Sequence, residues 1–162
     1  MIKLQKKNIV LIPAVFLAVF LFSGCSNAQP KLPEKYIIDK EAFGNSIKDF
    51  GAASDITNGS GSNATDEQTK KVLSLTMDSI ENSKKVSDDF LNYLNPDLKN
   101  KYHDYFMKSQ QLYYEGLSQS NSNDTLESES VKKQIEAGNL MKEWLNWWGS
   151  NNKEILDKVF AG

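Results

Sequence analysis

The chain has 162 residues, 40% of them apolar, 10% aromatic and 25% charged. That is material for one folded domain with a sizeable core, and too aromatic for a chain disordered throughout. A single cysteine excludes an internal disulfide and a thiolate metal site, and the formal net charge of −2, with no arginine, makes a poor footprint for nucleic acid.

In chain order, Lys3, Lys6 and Lys7 precede an uncharged apolar run, Ile9 to Phe22. The run is shorter than the ~20 residues a membrane-spanning helix needs and contains Pro13, so it reads as a secretory signal over residues 1–24. The segment Leu21-Phe22-Ser23-Gly24-Cys25 resembles the lipobox of bacterial lipoproteins, with Phe22 where leucine is usual. The resemblance implies diacylglyceryl on Cys25, the membrane as first partner, and a place on the outer face of the cytoplasmic membrane. Two acyl chains, at ~0.8 kcal/mol per buried methylene, hold a protein stably where one would not. Removing residues 1–24 takes away three lysines and no acid, leaving a net charge of −5. Such a domain gains no overall attraction to anionic headgroups and is expected to stand off the bilayer.

Residues 25–64 read as a lipidated tether. Within it, Tyr36, Phe43, Ile47 and Phe50 recur at near-helical spacing, predicting a short amphipathic helix or an extended start at Lys35-Tyr36-Ile37-Ile38. The stretch Gly51 to Ala64, rich in Gly, Ser and Asn, reads as a flexible linker.

Residues 65–162 read as the helical domain. Thr65 and Gln68 have capping-box spacing, with Asp66 and Glu67 in the first turn. From there Val72, Thr76, Ser79, Ser83, Val86, Phe90 and Tyr93 predict one helix that runs to Asn95-Pro96. A second, Pro96 to Ser118, carries Leu98, Tyr102, Tyr105, Ser109, Leu112 and Gly116 on its inward face. After a polar loop at 118–125, Val131, Gln134, Gly138, Met141, Leu145, Trp148, Ile155 and Val159 predict a third, running through Gly149 or divided there. The fold expected is mainly α, an antiparallel up-down-up bundle of three long helices.

Catalytic chemistry has few carriers. His103 is the only histidine, and its neighbour Asp104 points about 100° away on a helix, too far round to orient it. No phosphate loop or calcium loop occurs, so neither cofactor nor metal is expected and the chain reads as non-enzymatic. Two features stand out. Thr76, Ser79 and Ser83 face Tyr102 and Tyr105, which is either hydrogen-bonded helix packing or a polar pocket for a small ligand or wall glycan. His103, Met107, Gln110 and Tyr114, together with Leu140, Trp147 and Trp144, fall away from a three-helix core. Either Tyr36 to Phe50 folds back as a fourth helix over the tryptophans, or these residues bind another envelope protein or a second copy of the chain.

Overall fold

The computed structural model describes residues 31–60, 64–121 and 123–160, and among these the protein is mainly helical, with no strand. After a single 3-10 turn, Glu34–Tyr36, come α1 (Ile37–Ser60), α2 (Asp66–Ser83), α3 (Asp88–Leu94), α4 (Leu98–Lys101), α5 (Lys108–Gln119) and α6 (Glu129–Phe160). A π turn, Tyr102–Met107, joins α4 to α5, so Leu98 to Gln119 is one rod. Four rods result where three were expected, because α1 is a full-length member of the bundle.

Cross-rod partners give the directions. Tyr36 reaches the Asp89 carbonyl, Asp39 the Ser87 amide and Ser46 the Ser79 hydroxyl, so α1 runs against α2–α3. Ser46 meets Tyr102 and Thr57 meets Tyr113, so α1 and the α4–α5 rod point the same way. Lys108 pairs with Glu136 and Glu115 with Lys133, which sets α6 against that rod. The arrangement is therefore up-down-up-down, with rods about 36 Å long for the 24 residues of α1 at 1.5 Å per residue.

The expectation of a flexible linker at Gly51 to Ala64 fails over its first ten residues, since α1 extends to Ser60 with Gly51, Ala53, Ser54 and Thr57 buried. Intrinsic propensity argues against this helix: Gly44, Gly51 and Gly59 cost about 1 kcal/mol each relative to alanine. Burial of Tyr36, Phe43 and Phe50 outweighs that, at roughly 2–3 kcal/mol per large side chain. Phe43 lies 6.0 Å from Phe90 and 5.4 Å from Tyr102, and Phe50 meets Phe106 edge-on at 6.0 Å. The core thus threads through all four rods, and α1 is a wall of it.

The helix expected from Thr65 to Asn95 is broken. Its capping box forms as read, with Thr65 Oγ1 accepting from the Gln68 amide at 3.1 Å and Gln68 Oε1 from the Thr65 amide at 2.9 Å. The chain then leaves the helix at Lys84 and restarts at Ser87, whose Oγ accepts from the Phe90 amide. Asp39 on α1 takes the Ser87 N–H, so the break is fastened to the neighbouring rod. At the other end of α3, Asn95 Oδ1 accepts from the Asp97 amide to form the turn into α4. The third expected helix is α6, continuous through Gly149.

Candidate functional site

The interior of the bundle carries a polar seam. Ser79 on α2 donates to the main-chain oxygen of Ser46 on α1, and Ser46 Oγ lies 2.8 Å from Tyr102 Oη. Tyr102 donates to Ser83 Oγ at 3.2 Å, and Ser83 to Gln110 Oε1 at 3.3 Å. Ser46 donates its one proton to the Phe43 carbonyl at 2.8 Å, so donation runs from Tyr102 through Ser83 to Gln110, with Ser46 packed against the Tyr102 hydroxyl and every member buried. Burial pushes the Tyr102 hydroxyl up to about 12, partly offset by its two serine partners, and it stays protonated at neutral pH. A second contact, Thr57 with Tyr113 at 2.9 Å, repeats the motif nearer the far end, and Tyr113 too is pushed up to about 12 by desolvation.

Of the expected pocket residues, Ser79, Ser83 and Tyr102 come together in this seam. Thr76 is buried but spends its hydroxyl on the Val72 carbonyl one turn back. Tyr105 lies outside the seam, half-buried under the Lys101 ammonium, 4.9 Å from the ring centre. Sequence reading missed Ser46, because it lay in a segment read as separate from the domain, and placed Gln110 on the outer face. The π turn accounts for Gln110: a wider turn advances each residue by less than 100° and carries Gln110 and Tyr113 round to the inside. Two buried donors of the seam and its rim, Gln110 Nε2 and Trp144 Nε1, find no protein acceptor.

The residues expected on a partner surface are dispersed. Trp144, placed at the edge of an exposed stripe, is fully buried, flanked by Tyr102 at 6.0 Å, Phe106 at 5.1 Å and Trp148 at 5.2 Å. The rings that enclose it stand on the π turn and on α6 itself, and α1 covers the neighbouring tryptophan, with Phe43 6.1 Å from Trp148. Trp147 is half-buried against Trp144, and Met107 packs on the core. Leu140 and Tyr114 are half-buried. His103 Nε2 and Lys99 Nζ each lie 2.8 Å from the Asp88 carboxylate at the start of α3. Hydrogen bonds from Lys99 first and then His103 hold the Asp88 carboxyl below the usual carboxylate range. The triplet is half-exposed and acts as a clip between α3 and the π turn.

Cys25 and the segment Leu21 to Cys25 that resembles a lipobox lie outside the described residues. Among the described residues no helix is long and apolar enough to cross a membrane, and no three His, Cys, Asp or Glu side chains are grouped so as to hold a metal. The large apolar side chains most open to solvent are Ile37, Ile38, Leu126 and Ile135. The class that fold and site define is a helical bundle with a buried hydroxyl seam. Comparison with protein-family models, with curated proteins and with solved structures finds no match.

Proposed function

We propose that this chain is a lipid-anchored, non-enzymatic bundle that acts by contact with another protein at the outer face of a bacterial cytoplasmic membrane, in the manner of immunity, exclusion or accessory lipoproteins. The observation that carries the reading is the apolar run Ile9 to Phe22 ending in Ser23-Gly24-Cys25, with Cys25 the only cysteine. Anchoring confines the bundle to a thin layer and raises its effective concentration toward a membrane partner, so a modest surface suffices. The half-buried Leu140 and Tyr114 and the exposed Ile135 are among the apolar side chains on α5 and α6 open to such a contact. The test is Cys25→Ala together with photo-crosslinking from position 140 in native cells. Release of C25A from the membrane and one dominant envelope adduct support the reading; membrane retention of C25A, or adducts within the chain alone, overturn it.

A second reading, a small-ligand or wall-glycan binder, draws on the two buried donors without protein acceptors, Gln110 Nε2 and Trp144 Nε1. A ligand or water with an acceptor between α5 and α6 would complete them. A heat-stability screen against sugars, wall fragments and amino acids at millimolar concentration tests it, and a flat panel overturns it.

A further inference from the structure

One end of the bundle differs from the other. At the first end lie the start of α1, α3 and the finish of α6: Tyr36 reaches the Asp89 carbonyl, Lys158 Nζ the Leu94 carbonyl at 2.7 Å, and Lys40 covers the Phe160 ring. Here Ile37 is 56% and Ile38 74% exposed, side by side on the opening turn of α1. Residues 31–40 carry Lys31, Lys35 and Lys40 against Glu34 and Asp39; Asp39 is buried and occupied by the Ser87 amide, Lys35 lies 3.8 Å from Asp89, and α3 and the end of α6 add Asp88, Glu154 and Asp157 beside Lys158. At the opposite end the connection from α5 to α6 carries Asp124, Glu127 and Glu129 with no lysine from 120 to 131.

Chain length decides which end meets lipid. Leu32 is buried in the core, and it stands only seven residue steps after Cys25. At ~3.3–3.6 Å per residue fully extended, that reach is at most about 25 Å. It is less than the length of the rods, so an acylated Cys25 holds the first end next to the bilayer and the Asp124 to Glu129 end away from it.

We propose that the Ile37–Ile38 end of the bundle is a membrane-contact surface, which sets the two isoleucines into the interface of an anionic bilayer with Lys31, Lys35 and Lys40 over the headgroups. This rests on the anchoring reading. The net acidity of the chain predicts standoff, and the near end carries acids of α3 and α6 beside its lysines, so burial of the two isoleucines more than net charge supplies the contact, with attraction confined by screening to lysines within about 10 Å of the headgroups.

Because acylation consumes the only thiol, a cysteine introduced elsewhere is unique in the anchored protein. Full-length Ile38→Cys and Leu126→Cys, both at exposed positions, are labelled with an environment-sensitive fluorophore and reconstituted in phosphatidylglycerol vesicles containing brominated lipid. The expected result is a blue-shifted probe at 38, quenched several-fold more than the probe at 126. Equal quenching at the two positions, with Cys25 acylated by mass spectrometry, overturns the contact surface and leaves the anchoring reading standing. An unacylated Cys25 overturns both.

Discussion

At the scale of single residues, the hydroxyls of Tyr102 and Tyr113 are where the interior is most sensitive to conditions. Both are held neutral by burial, with folded values of about 12 against an ordinary 10. A raised folded value means that the stabilisation is complete below pH 10 and is lost as pH rises through 12, because the unfolded chain releases its proton first. Each tyrosine then contributes on the order of 2 kcal/mol to alkaline destabilisation by pH 12. Tyr102→Phe is expected to be less stable than the parent at pH 7, since Ser46 and Ser83 lose a partner, yet to fall less steeply between pH 10 and 12. Urea titrations across that window check both halves of the expectation. Gly116 is the other residue with a sharp consequence: a Cβ there would stand 2.6 Å from the Ser130 carbonyl and 2.8 Å from Gln134 Cγ. Gly116→Ala is therefore expected to lower the melting temperature although alanine favours helix. Gly149→Ala, with open space around it on the long α6, is expected to add up to about 1 kcal/mol. Thermal melts of the pair separate close packing from propensity.

At the scale of elements, what could be read in advance divides along a physical line. α2's capping box and the long apolar stripe of α6 were legible because the signal is local: a hydroxyl three residues from a glutamine, and spacings of three and four sustained over 32 residues. The start of α3 had a local signal too, Ser87 ahead of Asp88 and Asp89, but an unbroken apolar periodicity runs across it and hides it. α1 was illegible beyond Phe50 since its helicity is imposed from outside. Gly51, Ala53 and Ser54 are small because α2 and the core come close, and smallness reads as linker when no neighbour is in view. The buried seam was half legible: Ser79, Ser83 and Tyr102 are named by periodicity, whereas Ser46 and Gln110 depend on α1 docking and on the π turn.

At the scale of the molecule, the boundary drawn at residue 65 separates parts that share one core. Without α1, Tyr102 and Phe106 lose Phe43 and Phe50, and Trp148 loses its cover. A fragment 65–162 is expected to keep helical circular dichroism while losing sharp tryptophan and tyrosine near-ultraviolet bands and a cooperative melt, whereas 31–162 keeps both. A cooperative two-state melt of the shorter fragment would contradict this account.

The two tyrosine contacts on α1, Ser46 with Tyr102 and Thr57 with Tyr113, recur at the same interval along both rods. A hydrogen bond of this kind adds little net energy, about 1 kcal/mol, but a buried hydroxyl left alone costs ~1–3 kcal/mol. If α1 slid by one turn against its diagonal partner, both pairs would be lost together; Ser46, Thr57 and Tyr102 would keep the Phe43 carbonyl, the Ala53 carbonyl and Ser83, and the buried Tyr113 hydroxyl would be stranded. The two contacts work as a vernier, weak as an adhesive and with Tyr113 as the main selector, and they favour one alignment in a bundle of otherwise interchangeable apolar stripes. A double substitution by apolar residues of matching shape could leave such a bundle as stable as before while allowing several alignments to coexist.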